Sequence, residues 1–309
     1  TLLVAICFLA IPLYAKDTAL IYRDSLNAEN KALVDAITNQ ISAAGYEIVN
    51  IDTDGLCSDA VLDPSKVDLL VIPDSRALPA RSCKSIEAYL KAGGDIIALQ
   101  TPMWQKSLIK INGKWTTKEE YGKEHSSDIP DNPIASFSAD EISKWTRSTD
   151  KASNPTVIES SNDSPVQGHS SLHVTLPKLT SYDTLYSPEL NAPFAGGKNL
   201  TIFAAKGGEL TNALAIEWTE KDGSRWIATV PLYREWRKYV LVPEDFKYWQ
   251  SNPSRGFSGD CFKPENAVKV CFGEAFTHTG GVSGTQEYWV SMLGTSSVTP
   301  ELDDFGKNA

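Results

Sequence analysis

The chain has no block of basic residues. Its 39 acidic and 29 basic side chains leave a net charge of −10, with a pI near 5.0. That balance argues against nucleic acid and anionic membrane surfaces as partners. Cysteine is sparse and never spaced C-x-x-C, and His125, His169, His173 and His278 are scattered, which argues against a zinc site. The turn after the first apolar strand, Arg23-Asp24-Ser25-Leu26-Asn27, lacks the glycines of a phosphate loop. Beyond residue 15 no apolar run reaches the ~20 residues of a membrane-spanning helix. A complete catalytic set is missing too. No cysteine stands on a sharp turn directly after a strand, and the acids around Glu217–Asp245 have no apolar setting to raise a pKa.

What is present begins with LLVAICFLAIPLYA, residues 2–15, an apolar run of signal-peptide length followed by Lys16-Asp17. Residues 1–15 therefore read as the remnant of a secretion signal, and the protein as secreted, periplasmic or on the cell surface. Cys7 falls inside that segment. The remaining four, Cys57, Cys83, Cys261 and Cys271, are an even number in an exported chain, which predicts two disulfides. Local pairing, Cys57–Cys83 and Cys261–Cys271, is favoured.

The hydrophobic period changes near residue 150. In residues 16–105 apolar strands (TALIY, YEIVNI, VDLLVIP, DIIAL) alternate with helical stretches over Asn27–Ala44 and Ser82–Ala92, closed by Gly45 and Gly93-Gly94. The order predicts a parallel α/β sheet with right-handed crossovers. Residues 106–140 read as a polar linker holding one hairpin at Asn112-Gly113. In residues 141–296 short alternating strands follow one another, among them SLHVTL, NLTIFA, ALAIEWT and RWIATV, the last two joined across Asp222-Gly223. That spacing predicts an all-β sandwich. Residues 297–309 read as a tail or linker, so any catalytic domain is expected downstream of it.

Two resemblances sharpen these expectations. The stretch VDLLVIPDSRALPARSCKSIEAYLKAGGDIIAL, with its apolar strand, Pro, short loop, helix and GG-D-I-I-A, resembles the class I glutamine amidotransferase-like fold. It looks most like the non-catalytic version found in secreted glycoside hydrolases. This implies a flavodoxin-like α/β domain serving packing or homo-oligomerisation. Cys83, ten residues past its strand, does not occupy the place of that superfamily's nucleophile. The cadence SSLHVTLPKL…DGSRW…EWRKYVLVPEDF…VKVCFGEAF…EYWVSML resembles the galactose-binding-like jelly roll of carbohydrate-binding modules. It implies a poly- or oligosaccharide partner. It also implies a structural calcium held by an N-terminal acid and an aspartate of the last strand. Ser291 stands at that aspartate's place, so no cofactor is expected.

Sugar recognition needs flat aromatic faces beside polar groups aimed at hydroxyls. Trp218 shares parity with Ile216 and reads as core, and the resemblance implies that Trp236 and Phe246 pack inside as well. Tyr182, Tyr186, Tyr233, Arg234 and Trp249 are the candidate sugar-binding residues, with no catalytic residue among them. The expected function is a non-catalytic carbohydrate-binding and scaffolding region of an exported glycan-processing protein. A hydrolase acting through the α/β domain or an interdomain cleft, and a structural surface protein that binds no sugar, stay open as alternatives.

Overall fold

The computed structural model describes residues 17–23, 31–100, 102–249, 253–281 and 283–298. The expected signal over residues 1–15, Asp24 and the tail beyond residue 298 lie outside them. The chain is mostly β and divides into two compact units between Leu108 and Ile109. No helix among the described residues is long and apolar enough to cross a membrane.

The first unit is built on four parallel strands, Thr18–Tyr22, Glu47–Ile51, Leu69–Ile72 and Asp95–Ala98. Their order across the sheet is second, first, third, fourth. Parallel neighbours need crossovers, which the helices Lys31–Ala43 and Ser82–Lys91 provide. Successive side chains point to opposite faces. Leu20, Tyr22, Leu70 and Ile72 pack with Ile86 and Tyr89, while Ala19, Ile21, Leu69 and Val71 pack with Ile37 and Ile41. Burial on both faces is why the two central strands, Thr18–Tyr22 and Leu69–Ile72, read as unbroken apolar runs. A short strand at Ala77–Pro79 also pairs in parallel with Lys106–Leu108, a contact that periodicity did not reveal.

The second unit is a sandwich of two antiparallel sheets. One sheet runs Val157–Ser161, Ser171–Leu176, Gln286–Ser296, Leu200–Gly207, Arg237–Leu241. The other runs Lys247–Trp249, Arg225–Pro231, Ala213–Glu220, Ala267–Ala275, Tyr182–Tyr186, Thr146–Thr149. Trp218, Trp226, Phe203, Phe246, Phe262, Phe272 and Tyr288 fill the space between the sheets. The indole N–H of Trp218 donates to Thr201 Oγ1 at 2.9 Å, which settles the one polar atom of a fully buried ring.

Residues 109–140, expected as mostly linker, are folded into this unit. Asn112 and Gly113 adopt the left-handed conformation that a two-residue hairpin turn requires. The helix Lys118–Glu124 follows, opened by a capping box between Thr117 and Glu120. Tyr121 of this helix packs with Ile109, Leu200, Ile202, Val240 and Val242. The approach is so close that a Cβ on Gly122 would stand 2.6 Å from the Lys238 carbonyl oxygen. Phe137 is fully buried in the sandwich core. Apolar Ile109, Tyr121 and Phe137 are spaced too irregularly to show a period, and their burial is what turns a polar-looking segment into structure.

No disulfide joins the four cysteines of the described residues, contrary to the expected pairs. The alternation of the Ala267–Ala275 strand turns buried Cys271 away from the core, whereas Cys261 stands exposed on the connection before that strand. Cys57 ends the short helix Thr53–Leu56, with its carbonyl accepting from the Ser85 hydroxyl. Cys83 lies in the first turn of Ser82–Lys91.

Candidate functional site

On the sheet that begins at Lys247–Trp249, every second residue faces away from the core. Ala215 and Glu217, Arg225 and Ile227, Cys271, Gly273 and Ala275, Tyr182, Thr184 and Tyr186, with Ser148 and Trp249 at the two outermost strands, all point the same way. With Thr277 and His278 they line a cavity of about 360 Å³. The cavity crosses all six strands. Its floor is small where Ala215, Gly273 and Ala275 lie side by side, and aromatic toward its ends.

One charged pair sits in that floor. The carboxylate of Glu217, buried on its strand, accepts from Arg225 Nε at 2.7 Å and Nη2 at 2.6 Å. The Tyr186 hydroxyl donates to Glu217 at 3.2 Å and accepts from Arg225 at 2.9 Å, closing a triangle. The pairing with Glu217 raises the guanidinium pKa of Arg225, and burial raises that of the Tyr186 hydroxyl. Burial, with Glu217 nearby, also pushes the Cys271 thiol well up, so it stays protonated and is no nucleophile. His278 is lowered by burial and is neutral at pH 7; its ring meets Trp249 edge-on at 4.7 Å. The cavity therefore offers hydroxyl-scale hydrogen bonding with no net charge. Its only carboxylate among the described residues, Glu217, is held by a cation.

Tyr182, Tyr186 and Trp249 come together in this cavity, whereas Tyr233 and Arg234 lie outside it. Pro231 ends the Arg225–Pro231 strand, and the chain then crosses to the other sheet, where it re-forms as Arg237–Leu241. Tyr233 and Arg234 ride on that crossover. Tyr233 lies under the Arg237 guanidinium at 4.9 Å, and Arg234 pairs with Glu209 at the surface. Trp236, expected inside, is half-buried on the outer side: its indole donates to Asp163 at 3.1 Å and Lys206 stands over its ring. Phe246 packs inside as expected.

Glu217 and Arg225 were not singled out from sequence, although their places were legible. Glu217 lies between core-facing Ile216 and Trp218, and the Asp222-Gly223 turn fixes a register that pairs it with Ile227, two residues from Arg225. At the expected calcium position Ser291 is fully buried, and its hydroxyl bonds with Ser164 Oγ and the Ser170 carbonyl, each at 3.0 Å. Among the described residues no three His, Cys, Asp or Glu side chains are grouped to hold a metal. In the first unit Asp74, at the end of a parallel strand, is engaged by Arg76 at 2.9 and 2.6 Å.

No protein-family model matches the sequence, and a search of curated proteins returns no match. Among solved structures, the chain is similar to the family 11 carbohydrate-binding module of the cellulosomal cellulase Lic26A-Cel5E of Clostridium thermocellum. Identity is 12%, coverage is 56% of this chain and 97% of that one, and the TM-score is 0.41. A family 61 module in complex with β-1,4-galactotriose is 14% identical over 54% of this chain and 99% of that one, at a TM-score of 0.34. An exo-β-agarase is 11% identical over 56% of this chain but 26% of its own length, at a TM-score of 0.41.

Proposed function

We propose that the second unit is a carbohydrate-binding module that holds a neutral glycan chain in the cavity of the Lys247–Trp249 sheet without cleaving it. The observation that carries this reading is the composition of that one face: Tyr182, Tyr186 and Trp249 around a charge-neutral Glu217–Arg225 pair, over a floor of Ala215, Gly273 and Ala275. Aromatic rings offer apolar faces to the C–H faces of a pyranose, and a fixed carboxylate–guanidinium pair offers both acceptor and donor to its hydroxyls. A charge-balanced cavity gives no advantage to a uronate or sulfate over a neutral sugar.

The signal-like residues 2–15 support export, and hence a place beside glycan-processing enzymes. The sheet order of the first unit and its VDLLVIP…GGDIIAL stretch support an amidotransferase-like scaffold. Cys83 stands in a helix rather than at a strand end, which supports a packing role over a catalytic one. The test is affinity electrophoresis against soluble neutral glycans, with a mixed-linked β-1,3-1,4-tetrasaccharide and β-1,4-galactotriose as small probes. Retardation that is lost in Tyr182→Ala and Trp249→Ala, with an unchanged melting temperature, is the expected result. Retardation that survives both changes, or none by any glycan, overturns the reading.

A further inference from the structure

Directly beneath the cavity wall is a carboxyl with nothing to hold it. Glu274 is fully buried, and neither of its oxygens has a hydrogen-bond partner. It lies on the strand between Gly273 and Ala275, both of which line the cavity, and faces the opposite way, into the sandwich. Its register partner on the next strand is Asp183, which sits between the lining residues Tyr182 and Thr184. Asp183 is already satisfied: Arg147 reaches it through Nε at 2.9 Å and Nη2 at 2.5 Å, and Thr156 donates to it at 2.7 Å. Arg147 also donates to the Asn154 carbonyl and to Thr156. On the other in-sheet side stands Leu214, next to Ala215, the partner of Gly273. From the opposite sheet the near titratable group is the buried hydroxyl of Tyr288, itself pushed up by burial and by Glu274.

An ionised Glu274 would face the Asp183 carboxylate, whose one guanidinium, Arg147, comes from the edge strand on the far side of Asp183. Like charges on register partners in a dry interior are strongly unfavourable, and protonation is the relief available. Burial, with Asp183 adding to it, lifts the Glu274 carboxyl to about 8. The strands that meet here differ in anchorage. Tyr182–Tyr186 pairs with Ala267–Ala275 on one side and only with the edge strand Thr146–Thr149 on the other. Separating the two carboxylates therefore means lifting a two-stranded ribbon from the sheet margin.

We propose that Glu274 is a proton-operated latch: protonated, it keeps the Thr146–Thr149/Tyr182–Tyr186 ribbon on the sheet, and ionised, it releases the ribbon and the cavity wall that the ribbon carries. The ribbon bears Ser148, Tyr182, Thr184 and Tyr186, so release dismantles one side of the cavity. That release also costs ligand binding rests on the cavity being the glycan site. Acidic and neutral media then favour the closed wall and alkaline media the open one.

The full chain and Glu274→Gln are compared from pH 6 to 10. Difference infrared spectroscopy reads the protonated carboxyl band, which is expected to vanish with a midpoint near 8 and to be missing in the variant. Hydrogen exchange, corrected for its intrinsic pH dependence, reads the ribbon. Protection at Thr146–Thr149 and Tyr182–Tyr186 is expected to fall with the same midpoint and to persist in Glu274→Gln. Affinity for the β-1,3-1,4-tetrasaccharide and β-1,4-galactotriose is expected to drop roughly tenfold per pH unit above the midpoint in the parent alone. Ribbon protection that is flat with pH, or falls equally in both proteins, overturns the latch. If neither sugar binds at any pH, the glycan reading fails and the exchange result decides the latch by itself. Should the variant not fold, the parent's infrared and exchange midpoints must coincide, and separate midpoints overturn the proposal.

Discussion

Two carboxylates on one sheet are equally hidden and meet opposite fates. Glu220, at the hairpin end of Ala213–Glu220, and Glu274, near the end of Ala267–Ala275, are both essentially without solvent exposure. Glu220 accepts from Arg255 at 2.7 and 3.3 Å and from the Lys263 backbone N–H at 2.9 Å. The same guanidinium also holds Asp260 and Asp222, bonds the Cys261 carbonyl, and lies over the Trp226 ring at 5.1 Å. Glu274 has no such clamp, and its proton does what a cation does for Glu220. Burial alone does not decide whether an acid is charged inside a sandwich; the reach of one arginine does.

The comparison breaks most visibly at the clamp. Arg255→Ala leaves Glu220 and Asp260 buried without their cation and is expected to cost roughly 3–5 kcal/mol, read from urea denaturation at pH 7. Glu274→Gln is the converse, removing a charge problem instead of creating one. The folded carboxyl titrates near 8 against an ordinary value of 4.5. Its contribution is therefore complete below pH 4.5 and is lost as pH rises through about 8. Across that window the parent is expected to lose roughly 4–5 kcal/mol that the glutamine variant keeps, so the two denaturation midpoints coincide at pH 4 and diverge at pH 9.

Smaller effects sharpen the contrast at the cavity floor. Tyr186→Phe removes one hydroxyl from the Glu217–Arg225 triangle and is expected to cost about 1 kcal/mol of stability by thermal denaturation. Trp249→Ala is expected to weaken the glycan found by electrophoresis by about 1 kcal/mol, close to fivefold, with the fold intact. Tyr233→Ala and Arg234→Ala, on the crossover, are expected to leave that affinity within about 0.5 kcal/mol of the parent.

These residues also show where sequence reasoning succeeds and stops. The parallel sheet was legible because strands buried on both faces must be continuously apolar, as in LLVI. The sandwich was legible in its alternation and in the Asp222-Gly223 turn. Three of the five candidate aromatic and basic residues share one cavity because they fall at outward parity on one sheet, Tyr182 and Tyr186 on one strand and Trp249 on the edge strand across it. Tyr233 and Arg234 do not share it because Pro231 starts a change of sheet, which local pattern does not announce. Glu220, beside the Asp222-Gly223 turn, reads as a solvated turn acid, since the Arg255 that holds it buried lies more than thirty residues away in sequence, whereas Asp222 itself stays exposed. Cys261 and Cys271 looked paired by proximity along the chain, but strand alternation turns Cys271 aside.

The folding of residues 109–140 onto the sandwich bears on how this unit travels through evolution or through engineering. A graft cut at the start of the strand-rich sequence, near residue 141, would leave behind Tyr121 and Phe137 and strip a cover from Leu200, Ile202 and Val240. The transplantable piece starts at Ile109, and a shorter one would carry a greasy wound where its own preamble used to lie.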